Sequence, residues 1–578
     1  MNWLRRGVMI LSILFMLGVL VGGWARAAQA QGLYQSDIDR AVAAMTPSDW
    51  RQWGQRYAAA QAADPAFRVQ SVEEFIKINA WYRAFVDDGV IRHAFTTALG
   101  DQIYCIDVRT QRSLLGAGGD PDRLPRPPLI ARRPAGAAAV SAGRSKPTGS
   151  AGLDGSLDED GNARSCPAGS FPKLIQPIEK YYRFQMLADI FKKLPGYVGS
   201  PVPGLDDSRA LDGYDWSEAW SDSVPNYGQE ADFNLWQNYV QFPIEHSLAE
   251  MWNIGDYGGS NMQTAEAGIL HTIYVNGDDN MCLFIYFTAD NYQYTGCYNL
   301  DCAGFVQTDP GVVIGGPFAD YSEFGGDQYH AKIGFIRDAG DGAWWLYVNG
   351  APIGYYPQSL YEGGPMTVGG DLLMFGGEVY KYPTAFMTLE DMGSGRFSTD
   401  GWQSAAFIQN MQYYDLTSTA RDALGMEPYA SNPDYWDIGP VYDSGGSNLE
   451  GVHFYYGGPG NTDCNATSCH AGCCDGSTNC QPGTEPTACG ADGAACVVCA
   501  DGDPCIDGVC VSSDDDSTPD DDATPDDDAT PDDDATPDDD ATDDDSADDD
   551  STPDDDATDD DSADDDSDDD SGSGGCGC

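Results

Sequence analysis

Residues 331–350 read Ala331-Lys332-Ile333-Gly334-Phe335-Ile336, then a Gly/Asp-rich break, then Trp344-Trp345-Leu346-Tyr347-Val348-Asn349-Gly350. Two runs of aromatic and β-branched residues flank the break, and Asn-Gly after the second is the strongest short hairpin signal. The pattern continues upstream in Ile269–Val275 and Leu283–Thr288. From 219 to 460, Gly, Asn and Asp interrupt such runs roughly every ten residues, the spacing of an antiparallel sandwich or barrel. The reading is therefore an all-β domain.

Other compositions lie on either side. In 31–115, Ile38, Val42 and Met45, then Trp50, Trp53 and Tyr57, fall at helical spacing, and the segment turns strand-like at Gln102–Val108. Residues 116–165 are rich in Ala, Gly, Arg and Pro and read as a linker. A helix is expected at about 176–194, followed by a second Pro/Gly linker, Leu194-Pro195-Gly196 to Pro201-Val202-Pro203-Gly204. Residues 464–511 are cysteine-rich, and 512–578 repeat Asp-Asp-Asp-Ala-Thr-Pro before ending Gly-Cys-Gly-Cys. With so few apolar side chains the repeat cannot bury a core, and disorder is expected there.

The 578 residues carry 93 acids against 30 bases, a net charge of -63. The 33 Asp between 514 and 570 account for more than half of it; the rest of the chain holds 60 acids and 30 bases, a net of -30. Such a balance argues against a nucleic-acid partner, which needs a basic stripe, and against docking on anionic lipid.

At the N-terminus Arg5 and Arg6 precede an apolar run, Gly7–Gly23, and Ala28-Gln29-Ala30 offers a small-residue cleavage site. Residues 1–30 read as a secretory signal peptide, so the chain is expected to be secreted or held at the cell surface. Export would oxidise the 17 cysteines. The ten from Cys464 to Cys510 form an even set whose pairing is not deducible, and Cys282, inside an apolar run, reads as a buried free thiol.

No Gly-x-Ser-x-Gly, His-Glu-x-x-His or phosphate-binding glycine loop is present, and the six histidines are scattered. The informative residues are two carboxylates inside strands. Glu266 interrupts Thr264-Ala265-Glu266-Ala267-Gly268-Ile269, flanked by small residues; Glu378 sits in Phe375-Gly376-Gly377-Glu378-Val379. Glycine inside a strand often marks close approach by a ligand or a second backbone. Two such glutamates on one sheet face could divide acid and base roles, because a pair of like charges raises one pKa. They could equally be two solvent-facing strand glutamates.

These residues resemble the neprosin family of glutamic peptidases. Thr264–Gly268 resembles its first glutamate motif, Phe375–Val379 its second, and Asn291-Tyr292-Gln293-Tyr294-Thr295-Gly296-Cys297-Tyr298-Asn299-Leu300 with Cys302 and Gly304–Thr308 its central signature. Trp344–Pro357 resembles the strand pair between the glutamates, and Met392–Gly395 and Phe454–Gly460 its closing segments. The resemblance is dense over 219–463. It is thinner at Asp101–Asp107 and Cys166–Pro172, which are similar to the family's activation segment.

The resemblance implies a jelly-roll-like antiparallel β-sandwich over 219–463, preceded by a smaller α+β activation segment (31–115 and 166–218). It implies an endopeptidase that cuts after proline, often in acid, by direct water attack without metal or cofactor. Glu266 and Glu378 would be the catalytic pair, with Tyr292, Gln293 and Trp344 lining the cleft. Read from their positions, Cys297 and Cys302 would close a small loop beside the cleft, and Cys105 and Cys166 are the natural partners in the upstream part. Peptides or proteins would be the substrates of a monomeric enzyme. Ile269 and Leu270 depart from the family's usual bulkier aromatic or polar residues, which weakens the inference to proline preference.

Prolines in both linkers suit a zymogen that cuts after proline, with residues 31 to about 215 covering the cleft. The terminal Gly-Cys-Gly-Cys resembles bacterial surface-sorting tails and raises anchoring through the tail. Two other functions fit the same residues: a β-sandwich glycoside hydrolase using both glutamates, and a non-catalytic surface adhesin built on the cysteine-rich segment and tail.

Overall fold

The computed structural model describes residues 35–128, 145–191, 193 and 213–460 apart from 222, 242–244, 274–279, 294, 382–389 and 446–447, and most of 473–511. The expected signal peptide, the core of the second linker and the Asp-rich tail lie outside the described residues.

The N-terminal part begins with three helices, α1 (35–43), α2 (Pro47–Ala63) and α3 (Val72–Val86). Local chemistry explains two of their starts. Thr46 caps α2 with a capping box to Asp49, and Pro47 takes the first-turn position where its missing N–H costs nothing. Ser71 caps α3 through the Glu74 backbone N–H. Phe75, Ile78, Trp81 and Phe85 line the buried face of α3 at helical spacing. Three strands follow, β1 (Ile91–Thr96), β2 (Gln102–Asp107) and β4 (Ser170–Ile175), in a sheet of order β1-β2-β4 that the Cys105–Cys166 disulfide closes.

Two parts of this region depart from the sequence reading. The single helix expected at 176–194 is two one-turn pieces, α5 (Ile178–Tyr181) and α6 (Leu187–Ile190). Tyr181, Tyr182 and Phe184 pack instead against α3, so tertiary burial overrides helix propensity. Nor is the Pro/Ala/Gly/Arg stretch wholly extended linker. It holds the short helix α4 (Arg112–Gly116) at its edge and β3 (Ser145–Pro147), which pairs with the main domain in the parallel sense.

The main domain contains β5 (Tyr214–Ser221), β6 (Gly228–Asn234), β7 (His246–Gly255), β8 (Gln263–His271), β9 (Met281–Thr288) and β10 (Cys297–Tyr298). It continues with β11 (Val306–Gln307), β12 (Gln328–Arg337), β13 (Trp344–Val348), β14 (Ala351–Tyr356) and β15 (Leu373–Tyr380). It ends with β16 (Ala406–Tyr414), β17 (Ala420–Asp422), β18 (Glu427–Ala430), β19 (Asp437–Ile438) and β20 (Phe454–Gly457). One sheet has the order β10-β9-β8-β7-β15-β5-β18; the other runs β11-β14-β13-β12-β6-β16-β20-β19, with β17 beside β16 and β3 beside β12. The all-β sandwich read from the sequence is the observed architecture. Asn349 and Gly350 both take positive φ and turn β13 into β14, as an Asn-Gly hairpin requires.

Alternation along the strands sets the core. Ala249 and Met251, Ala265 and Ala267, Leu283 and Ile285, and Phe375 and Val379 point inward from the seven-stranded sheet. They meet Ala231, Phe233, Ile333, Phe335, Leu346 and Ile408 of the other sheet. The opposite set of the seven-stranded sheet points outward, including Leu248, Trp252, Leu270, Phe284 and Met374. These are also buried, so a second layer covers that face. Cys282 is buried, and its Sγ donates to Asn280 O at 3.6 Å. In the cysteine-rich segment, disulfides join Cys473 to Cys496, Cys489 to Cys505 and Cys499 to Cys510. Among the described residues no helix is long and apolar enough to cross a membrane.

Candidate active site

Glu266 and Glu378 both project from the outward face, on strands that flank β7. Glu266 is in register with Trp252 of β7 and Glu378 with Leu248, so the two lie diagonally across β7 with Glu250 midway. Glu250 is flanked by Gly268 on β8 and Gly376 on β15. A Cβ on Gly268 would lie 2.8 Å from the Cβ of Glu250, and one on Gly376 would lie 2.5 Å from that of Glu218. Glycine at both positions leaves a trough between the glutamates that any side chain would fill. All four carboxylates, Glu218, Glu250, Glu266 and Glu378, are 0% exposed.

The two predicted carboxylates have different partners. Glu378 accepts a 2.9 Å hydrogen bond from Trp216 Nε1 at one oxygen and contacts His246 Nε2 at 3.1 Å through the other. An ionised carboxylate can only accept, so His246 carries its proton on Nε2. Burial pushes Glu378 up, but the charge of Lys193 and the contacts of His246 and Trp216 outweigh it and hold the carboxyl below the ordinary range. Burial also lowers His246, favouring neutral imidazole. Glu266 accepts at Oε1 from Thr264 Oγ1 and from Tyr292 OH, each at 2.5 Å. Its Oε2 lies 2.8 Å from Lys193 Nζ.

Tyr292 reaches Glu266 from the loop after β9. Its φ of 58° puts a non-glycine residue in the left-handed region, where its backbone N–H donates to Thr288 Oγ1 at 2.8 Å. Such strain at a tight turn aims a side chain, and here the phenol meets the carboxylate. The Cys297–Cys302 disulfide closes the loop that follows. Gln293 is exposed on the same turn. Trp344 is elsewhere: it is fully buried between the two sheets, with Nε1 donating to Met366 O at 3.0 Å. It belongs to the core and lines no cleft, because its position on β13 points it inward.

Sequence reasoning passed over Lys193, Glu250, His246 and Trp216. Lys193 precedes the second linker and enters the trough from the N-terminal part, its Nζ 3.0 Å from Glu250 Oε1. Burial alone would strip its proton, but Glu250, Glu266 and Glu378 hold the ammonium well above the usual lysine range. Burial drives Glu250 the other way, well above the ordinary glutamate range despite the pull of Lys193. One signal for Glu250 was legible, since Ala249-Glu250 repeats the small-residue–glutamate pattern of Ala265-Glu266 in an apolar strand. A lone lysine before a linker carries no such signal.

Three sulfurs, of Cys489, Cys499 and Cys510, converge within 4.8 Å. Each is already in a disulfide, which removes the thiolates a metal would bind.

Residues 243–459 match the model of the neprosin family. Among solved structures, scytalido-glutamic peptidase with a transition state analog inhibitor covers 42% of this chain and 97% of its own, at 10% identity and a TM-score of 0.25. The same peptidase with a peptide based transition state analog covers 42% and 98%, at 8% identity and a TM-score of 0.25.

Proposed function

We propose that the chain, whose residues 243–459 match the neprosin family, is an exported glutamic endopeptidase, made as a zymogen, that cuts after proline with Glu378 and Glu266. The observation that carries this reading is the pair itself: two glutamates on one sheet face, across a glycine-floored trough, with unlike surroundings.

Those surroundings support a division of roles. Glu378 is kept ionised by donors on both oxygens and acts as the general base, drawing a proton from the attacking water. Glu266 is held at Oε1 by Thr264 and Tyr292, which leaves Oε2 to face the substrate. Protonated there, it donates to the scissile carbonyl oxygen and later gives its proton to the departing amine. Tyr292 steadies that carboxyl and can follow charge onto it. Water attacks directly, so no acyl-enzyme forms.

Precursor cleavage in the second linker would detach the residues that cover the outward face. The preference for proline rests on the family resemblance and on the prolines within the linkers. The test offers a quenched proline-containing peptide and a β-glucan at pH 3–7 to wild type, Glu266→Gln and Glu378→Gln, each after linker cleavage. Peptide cleavage lost in both variants is the expected result. Sugar release would support a glycoside hydrolase, and neither activity would support an adhesin.

A further inference from the structure

The trough is not empty of charge. Lys193 Nζ lies between Glu266 Oε2 and Glu250 Oε1, at 2.8 and 3.0 Å, and all three side chains are 0% exposed. Aromatic faces complete the seat, with the ammonium 5.7 Å from the Tyr286 ring centroid and 5.9 Å from that of Tyr292. The backbone is fixed as well, since the Lys193 N–H donates to Tyr286 OH at 3.1 Å.

We propose that Lys193 is the inhibitory group of the precursor, its ammonium held by Glu250 in the place at Glu266 Oε2 that the substrate carbonyl and the catalytic proton must occupy. The proposal rests on the peptidase reading and names the device that silences it.

Three observations support it. First, the cation sits on the oxygen of Glu266 that Thr264 and Tyr292 leave open, so it blocks the reacting atom. An ammonium there occupies the position from which Glu266 would meet the scissile carbonyl oxygen. Second, Glu250 lies on the central strand of the trough, and its Oε2 has no hydrogen-bond partner among the described residues. Burial pushes its carboxyl up and the neighbouring Lys193 pulls it down, and the 3.0 Å contact fixes the ammonium beside Glu266. Third, Lys193 stands immediately before Leu194-Pro195-Gly196. While the chain is intact, the tether keeps the lysine at high effective concentration beside the pair; a cut in the linker leaves it at the end of a separate fragment that can leave.

Other titratable groups around the ammonium are Glu378, His246 and the phenols of Tyr214, Tyr286, Tyr292 and Tyr298. The phenols stay protonated in acid, so only the carboxylates and His246 change charge there, and every such change weakens the hold on a cation.

The test uses the full chain with a site for an added protease placed within residues 196–203. Wild type, Lys193→Met and Lys193→Gln are assayed uncut and cut on the quenched peptide, and melted at pH 7 and pH 4. Uncut variants should cleave peptide about tenfold faster or more than uncut wild type, while the three cut forms match. Uncut variants as silent as uncut wild type, beside active cut forms, would overturn the proposal. An inactive cut wild type would strike the peptidase reading instead. The melts still test the clasp in that case. Lys193→Met should lower Tm more at pH 7 than at pH 4, because carboxylates left without their cation can neutralise only in acid; no change at either pH contradicts it. If neither variant folds, wild type decides by lysine acetylation read by mass spectrometry. Lys193 should be protected in the uncut chain and modified after cutting, and labelling in the uncut chain as fast as exposed Lys146 would contradict the clasp.

Discussion

The two faces of the seven-stranded sheet are equally dry and differ in what dries them. The inward face is apolar and meets a second sheet of the same domain, with Phe233, Ile333 and Phe335 against Ala249, Ala267 and Phe375. The outward face carries four buried carboxylates among aromatic residues, and Lys193 of the preceding segment reaches into it. Burial on the first face is permanent and stabilises the fold. On the second it places charged groups where water cannot screen them, which raises both their cost and their chemical usefulness. A face of that kind is suited to a site that is covered until needed.

Substitutions on the two faces should separate stability from activity. The largest effect is expected from Glu378→Gln, which should lower kcat/KM of the cut enzyme by about 10³-fold or more. It should leave the urea midpoint nearly unchanged, because the amide oxygen still accepts from Trp216 and the amide NH2 can donate to His246 Nε2 once the imidazole takes its other tautomer. Phe233→Ala, on the inward face, should do the reverse and cost about 3–5 kcal/mol in equilibrium unfolding, while the fraction still folded keeps its kcat. A midpoint shift in the first variant as large as in the second would erase the contrast.

Smaller changes sharpen it. Trp216→Phe removes one donor to Glu378 and keeps the aromatic packing. A carboxyl held low contributes its stability above the ordinary glutamate range and loses it as pH falls through its folded pKa. Without the donor, protonation of Glu378, the proposed base, begins at higher pH, so the acid limb of kcat/KM should move up; an unmoved limb would remove Trp216 from the account. The smallest effect is expected from Tyr286→Phe. It deletes the hydroxyl that meets the Lys193 N–H and Phe191 O. Release of the N-terminal fragment after cutting should become easier by about 1 kcal/mol, read as a faster rise of activity.

How much of this was legible in the sequence follows from the range of each signal. The Asn349-Gly350 turn and the alternating runs are local, so the sandwich could be read directly. Glu266 and Glu378 stood out because a charged residue among small ones in an apolar strand conflicts with its surroundings. Trp344 misled for the opposite reason: an aromatic residue in a strand looks the same whether it faces a cleft or the core, and only sheet register decides. The Ile178–Ile190 region looked helical because its propensity is real, yet Tyr181, Tyr182 and Phe184 gain more by packing on α3. Lys193 and Glu250 meet across 57 residues of sequence. His246 and Glu378 meet across 132. Glu250 had a local signal of its own, but nothing local marks the pairings, since long-range contact is a property of the fold.

The central claim is that Glu266 and Glu378 act as one catalytic unit. Its most direct measurement is a double-mutant cycle on the cut, full-length enzyme, comparing kcat/KM for wild type, Glu266→Gln, Glu378→Gln and the double variant on one proline-containing peptide. Groups that act as a unit give non-additive losses. The account predicts that each single variant is nearly inactive and that the double variant is no worse than either. Independent losses that multiply in the double variant, or a single variant retaining most of its activity, would contradict it.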